Sequence, residues 1–407
     1  MKKASIFSVI LAGGASSRLF PFNKILSDLT GAGRTLIQQA QARAQTLCSR
    51  RETYVLAVKD LKTPIKGQLK LSNEKIFVDP VRRGTWPTLL WAMAHLRRSN
   101  PEAVLAVLTG DQIIPRLAPF RRAARQACRL AQDHAAIVML GVAPGSNAAA
   151  WTGFGVFRVD GHRVTAFSEK PSLAQAQAML REGGWEWNSG MFFFRISTAE
   201  KALARFQPAM HAVYERLCDA ISRRKISQAR ALYAEFPAKI PHPLEPTREV
   251  DNSIDFAIMM PLVGRCRLEA PGSRVSRAYS LEPRALAVTG GLPEWTDLGQ
   301  WETLCERIRP DPRKNSCVGT VKKDAATQRC ILAADRGFTL DVRGLTDAVV
   351  AVSERGLLVL PRRKLPRIKD YVARAPSKKF LIVNALSQVR IQRSGRRVVV
   401  SGAAFIG

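Results

Sequence analysis

The chain reads as an α/β protein with a mixed, mainly parallel sheet and helices on both faces, followed by a small all-β unit of short coils. Three observations predict this. In the first half, short β-branched runs alternate with helical patterns. Beyond about residue 311 the helical period gives way to short strand-like runs separated by turn residues. The 407 residues, 46% hydrophobic and 24% charged, suffice for a large core divided over more than one domain.

The predicted strands are SIFSVIL (5–11), TYVLAV (53–58), KIFV (75–78), AVLAVLT (103–109) and AIVMLGV (136–142). Between them, RTLIQQAQARAQTL (34–47), PTLLWAMAHLRRS (87–99) and RLAPFRRAARQACRLAQ (116–132) carry apolar residues at i, i+3, i+4 spacing and predict helices. Repeated βα units give a Rossmann-like sheet whose ligands sit at the C-terminal ends of its strands. From 172 to 261 the chain is mainly helical, interrupted by GGWEWNSGMFFF (183–194), and is expected to form a substrate-side lobe. The charged turn DPRKNS (311–316) marks a boundary. This divides the chain into a catalytic unit (1–310), a small β unit (311–372) and a basic, β-prone extension (373–407).

Composition narrows the class. Seven scattered cysteines without a CxxC pair argue against a disulfide framework and for free thiols. With no signal-peptide pattern and no apolar run near the roughly 20 residues that span a bilayer, the expectation is a cytoplasmic protein without membrane insertion. The formal charge is +30, and twelve Lys/Arg stand against one Asp from Pro361 onward. Such a field attracts nucleotides, sugar phosphates and nucleic acid alike. No nucleic-acid recognition motif accompanies it, so nucleic acid is not the expected partner.

The stretch SVILAGGASSRLFPFNK (8–24) carries the chemistry. An apolar strand ends in Gly13 and Gly14, whose conformational freedom lets a phosphate approach backbone N–H groups. Arg18 and Lys24 then supply two cations for phosphate charge. The stretch fits neither GxxxxGK[ST] nor GxGxxG, which excludes the P-loop and the dinucleotide fingerprint.

LAGGASSRLFPFNK resembles the N-terminal LAGGxGTRLxPLT motif of the sugar-phosphate nucleotidyltransferases, and other segments agree in order and kind. LTGDQII (108–114) resembles the strand end that carries a metal-binding Asp, WTGFGVFRV (151–159) the sugar-side TGYGYI, and FSEKP (167–171) FxEKP. WNSGMFFF (187–194) resembles WNSGMFLF, and EWTDLGQW (294–301) resembles the WSDVGSW that carries a second metal Asp. With VDNSIDFAIMM (250–260) resembling SIDYAIME, these forms point to the mannose-1-phosphate guanylyltransferase branch. FTLDVRGLTDAVVAVSERGLLVLPRRK (338–364) resembles the left-handed β-helix segment that follows the catalytic domain there. Three places differ from the pattern: Ser16 stands for a glycine, FPFNK for a longer stretch ending in PKQF, and Gly84 and Trp86 for the Asn and Ala of the base pocket.

The resemblance implies the nucleotidyltransferase fold and GTP and mannose 1-phosphate as substrates. It implies in-line attack of the sugar phosphate on the α-phosphorus, Mg²⁺ as cofactor and a homodimer through the β-helix. It makes Arg18 and Lys24 catalytic and assigns the nucleotide to Leu11, Ala12, Gly13, Gly14, Ser16, Arg18, Thr85, Pro87 and Gly110. The sugar phosphate falls to Gly155, Glu169, Lys170 and Asn188, and the metal to Asp111 and Asp297. Asp255 is a further candidate acid near the sugar. Trp185, Trp187 and Phe192, Phe193 and Phe194 are expected mostly in the core. The open alternatives are a nucleotidyltransferase for another base or sugar 1-phosphate, and a nucleotide-sugar-binding protein without turnover.

Overall fold

Strand β1 (Ile6–Ala12) lies inside a nine-stranded sheet, and its end fixes where the loop of Arg18 and Lys24 begins. The structure, a computed structural model, describes residues 5–13, 17–266, 283–299, 301–374, 380–382 and 389–402. The following strands are β2 (Thr53–Ala57), β3 (Ile76–Val78), β4 (Val104–Thr109), β5 (Gln112–Ile113), β6 (Ala136–Val142), β7 (Gly155–Asp160) and β8 (Arg163–Glu169). After them come β9 (Trp185–Arg195), β10 (Lys239–His242), β11 (Glu245–Asp251), β12 (Arg284–Val288) and β13 (Thr296–Asp297). The sheet order is β3-β2-β1-β4-β9-β6-β12-β8-β7. Its first four strands are mutually parallel, as the repeated βα units predict.

Both faces of this sheet are covered, so its central strands are apolar without interruption; β6 is buried along its whole length. Successive residues point to opposite faces. Val9, Leu105, Val107 and Met139 face one core, shared with α3 (Thr85–Leu96). Ile10, Val104, Ala106 and Val138 face the other, shared with α1 (Leu36–Ala44), α2 (Lys59–Leu69) and α4 (Leu117–Asp133). Helix α2 was absent from the expected elements. Its interior Pro64 argues against a helix, but the buried stripe Leu61, Ile65, Leu69 overrides the proline.

The helical stretch 172–261 contributes more than a lobe. Its interruption is β9, which lies between β4 and β6 and runs antiparallel to both. Phe192, Phe193 and Phe194 are therefore core residues of the main sheet.

Beyond residue 315 the chain forms β14 (Ser316–Val318), β15 (Thr320–Lys323), β16 (Ile331–Ala334), β17 (Thr339–Arg343), β18 (Ala348–Ser353) and β19 (Gly356–Pro361). The last described strands are β20 (Phe380–Ile382), β21 (Val389–Ser394) and β22 (Arg397–Gly402). They make two sheets, β14-β16-β18-β19-β20 and β15-β17-β22-β21, whose β14-β16-β18 and β15-β17-β22 pairings are parallel, as stacked coils require. The first of these sheets is buried on both faces. Leu332, Val350, Leu357 and Val359 face the second sheet. Ile331, Val349, Leu358 and Leu360 face Leu19, Phe20, Phe22 and Trp301, so this β unit shares a core with the loop after β1.

Candidate active site

The centre of the site is a cation held between two carboxylates. Lys24 Nζ donates to Asp111 Oδ2 at 2.8 Å and to Asp297 Oδ1 at 3.1 Å. Three local features bring these groups together. Asp111 follows β4 through Gly110, whose N–H donates to Leu11 O at 2.9 Å; a Cβ there would stand 2.6 Å from that oxygen, so the approach of β4 to β1 requires glycine. Asp297 is carried alongside by the β13–β5 ladder, which pairs it with Gln112. Lys24 ends the loop after β1 and is 9% exposed. Its pKa stands above the ordinary lysine value: burial opposes the ammonium, but Asp111 and Asp297 outweigh it. Burial raises the Asp297 carboxyl, with Lys24 acting against the rise and Asp111 adding to it. Arg18 is exposed on the turn Ser17–Leu19, near enough to Asp297 to act on its carboxyl.

Beside this cluster a cavity of about 380 Å³ opens at the C-terminal ends of the parallel strands. Leu11, Ala12, Gly13, Thr85, Thr109 and Asp111 line it, with Asp79 and Gly84. Gly14 and Ser16 lie outside the described residues. Neither Gly110 nor Pro87 is among the residues that line it, and Pro87 is buried in α3. Trp86 also turns away from the cavity and is fully buried in the core. The opening of α3 is instead set by Gly84, at φ +102, where a Cβ would stand 2.2 Å from Asn252 O.

The residues expected on the sugar side form a second cluster. Lys170 Nζ donates to Glu169 Oε1 at 2.9 Å, and Asn188 Nδ2 donates to Asp255 Oδ1 at 2.8 Å. Gly155 makes room for them: a Cβ there would stand 2.4 Å from Glu169 Oε2. The close approach at Gly155 is thus to a carboxylate of the chain. Asp255, at the start of a π-turn (Asp255–Met259), is raised to about 7 by burial and then by the Glu169 charge. Lys170 is raised above its ordinary value, burial opposing and Glu169 prevailing.

Residues 7–313 match the Nucleotidyl transferase family. The chain belongs to that family. Among its relatives, the mannose-1-phosphate guanylyltransferase of Escherichia coli K12 is 25% identical, over 91% of this chain and 74% of that protein. Those of Salmonella typhimurium and Klebsiella pneumoniae are each 27% identical, over 91% and 95% of this chain and 73% and 76% of theirs. A crystal structure of mannose-1-phosphate geranyltransferase from Thermus thermophilus shares the fold, with TM-score 0.69 at 24% identity, covering 91% of this chain and 99% of that one. The protein is therefore an enzyme of the nucleotidyltransferase class.

Several groups of this nucleotidyl transferase escaped the reading of its sequence. Arg43 is fully buried on α1 and donates through Nη2 to Thr109 O at 3.0 Å, two residues before Asp111. Burial lowers its pKa to about 10. A signal existed: Arg43 falls on the buried stripe Leu36, Ile37, Ala40, Ala44, where a charged residue is out of pattern. Ser353 Oγ donates to Pro21 O at 2.7 Å and Arg355 Nη1 to Phe22 O at 3.0 Å, so the C-terminal β unit holds the loop between Arg18 and Lys24. Asp79, which no quoted motif contains, lines the cavity beside Asp111.

Proposed function

We propose that this enzyme transfers GMP from GTP to α-D-mannose 1-phosphate, giving GDP-mannose and pyrophosphate. The observation that carries the reading is the convergence of Asp111, Asp297 and Lys24 at the ends of β1 and β4, beside the cavity that Gly13 lines. The relatives named for mannose 1-phosphate support the substrate assignment.

The donor set suits a hard divalent cation. Two carboxylates already converge within hydrogen-bond distance of one positive atom, and among the described residues no cluster of three or more His, Cys, Asp or Glu offers an all-protein cage. Mg²⁺ takes such a site, with one or two carboxylates and the rest of its shell from substrate oxygens and water. Asp111 and Asp297 would hold it, and when bound it neutralises charge on the reacting phosphates.

The chain's own residues do the positioning. The loop after β1 presents backbone N–H groups to the triphosphate, Arg18 pairs with the leaving pyrophosphate, and Lys24 turns its ammonium to the α-phosphate as negative charge grows there. Lys170 binds the sugar phosphate, while Glu169 accepts from sugar hydroxyls. Asn188 acts beside it, oriented by Asp255. The sugar phosphate oxygen attacks in line, so orientation supplies most of the acceleration. Residues 1–310 form the catalytic unit in this reading, 311–372 a left-handed β-helix that supports a homodimer, and 373–407 its basic extension.

The test is pyrophosphate release with Mg²⁺ across four nucleoside triphosphates and the 1-phosphates of mannose, glucose, galactose and N-acetylglucosamine. The reading predicts one strong signal, at GTP with mannose 1-phosphate. A strong signal elsewhere would reassign base or sugar. Silence throughout, with nucleotide still bound, would mean a binding protein without turnover.

A further inference from the structure

We infer that Gln112 is a positioning residue: its buried amide ties the segment of Asp111 and Asp297 to the strand of Asn188, and so sets the spacing between the two clusters of the site. This rests on the function proposed above, in which the nucleotide takes one cluster and the sugar phosphate the other. Gln112 directly follows Asp111 and is the ladder partner of Asp297. Its Nε2 donates to Ser189 O at 2.7 Å, and Ser189 directly follows Asn188. One hydrogen bond therefore leads from the neighbour of a carboxylate in the first cluster to the neighbour of an amide in the second.

The local structure explains why the bond forms. The registered pairs of β9 with β4, β6 and β7 leave out Ser189, Gly190 and Met191, and Gly190 stands at φ +72. Ser189 lies in that interruption and is buried, and its carbonyl takes a side-chain donor. On the other side, Trp295 Nε1 donates to Gln112 Oε1 at 2.9 Å, two residues before Asp297. An indole N–H only donates and a carbonyl only accepts, so the amide of Gln112 has one orientation, oxygen to Trp295 and nitrogen to Ser189. At 6% exposure, a polar bridge engaged at both ends is rigid. Gln112 does not line the cavity beside Asp111, so it acts by placing other groups rather than by touching substrate.

Spacing matters to this reaction because the attacking oxygen and the α-phosphorus are held by different clusters. A misplacement of about 1 Å between reacting atoms can cost about a hundredfold in rate. GTP engages the cluster of Asp111, and mannose 1-phosphate engages that of Glu169 and Lys170. GDP-mannose must engage both at once, so its affinity reads the spacing that the separate substrates do not.

The experiment measures dissociation constants for GTP, mannose 1-phosphate and GDP-mannose by titration calorimetry, with kcat beside them, in the wild type and Gln112→Met. Methionine keeps the length of the side chain and removes both hydrogen bonds. The melting temperature checks folding. GTP and mannose 1-phosphate are expected to bind within about threefold of the wild type, while GDP-mannose weakens about tenfold and kcat falls about tenfold to a hundredfold. A residue that only supports the fold would lower the melting temperature and, in the fully folded variant, leave kcat and GDP-mannose affinity unchanged. That result overturns the inference, as does an equal weakening of all three ligands, which would place the damage within a cluster. Should Gln112→Met fail to fold, Gln112→Asn replaces it: its amide is one methylene too short to reach Ser189 O, and it is expected to show the same selective loss. A folded Gln112→Asn with wild-type constants is equally contradictory. A wild type that binds neither GTP nor GDP-mannose fails the proposed function itself, so the two failures are distinguishable.

Discussion

Asp255 shows how far a single carboxyl can be displaced by its surroundings. It titrates at about 7, pushed up by burial and then by Glu169, with Lys170 and the Ser253 hydroxyl pulling the other way. In an unfolded chain an Asp titrates near 3.9. Between these values the folded state keeps a proton that the unfolded state has lost. The stabilisation this group contributes is therefore complete below about pH 4 and is lost as pH rises through about 7. Asp255→Asn removes the titration while its Oδ1 still accepts from Asn188 Nδ2. The variant is expected to melt a few degrees above the wild type at pH 8 and close to it at pH 5. Melting temperatures that stay parallel from pH 5 to pH 8 would contradict the assignment. The sequence marked Asp255 through the SIDFAIMM segment, but its displaced pKa depends on Glu169 and on the packing of β9. Asn188 on that strand lies 67 positions away along the chain and Glu169 further still, so neither leaves a local pattern.

At the scale of elements, the loop between β1 and α1 is the part that the proposed chemistry depends on and that local sequence supports least. Its two cations, Arg18 and Lys24, were legible as residues, whereas the means of holding them was not. Ser353 and Arg355 bond to the carbonyls of Pro21 and Phe22 across 332 and 333 positions of chain, and a backbone carbonyl acceptor has no signature in sequence. The same holds for β9. Its apolar run was visible, but an antiparallel strand in the middle of a parallel sheet is a matter of distant partners. By contrast β1 to β4, α1, α3 and α4 were legible, because one buried stripe or one apolar run specifies each of them. If the Arg355 contact positions the loop, Arg355→Ala should lower kcat about tenfold and leave the binding of sugar 1-phosphate to the other cluster unchanged. Titration of sugar-phosphate binding beside initial rates separates these. A variant with unchanged kcat would show that the contact is incidental to turnover.

For the whole molecule, the C-terminal β unit does two things with the two faces of one strand. Leu357 faces the core between the two small sheets, and Leu358 faces the core shared with Phe20, Phe22 and Trp301. Both are buried, at 2% and 0% exposure, so truncation to Ala should cost each about 2–5 kcal/mol. Their effects on activity should differ. Well below the melting transition, Leu358→Ala is expected to lose turnover because its cavity adjoins the loop of Lys24, while Leu357→Ala keeps it. Equal rates in the two variants at equal folded fraction would mean that the β unit stabilises the fold without steadying the loop. The charge of +30 belongs to this scale as well, since it draws anionic substrates to the whole surface and assigns no site.

The central claim is that Asp111, Asp297 and Lys24 form one centre for nucleotidyl transfer. Its most direct test is pyrophosphate release from GTP and mannose 1-phosphate by the wild type, Asp111→Asn and Asp297→Asn, at saturating substrate and Mg²⁺. The account predicts a loss of at least about a hundredfold in kcat for each variant, with the melting temperature little changed. A folded Asp111→Asn or Asp297→Asn that turns over at the wild-type rate would contradict it.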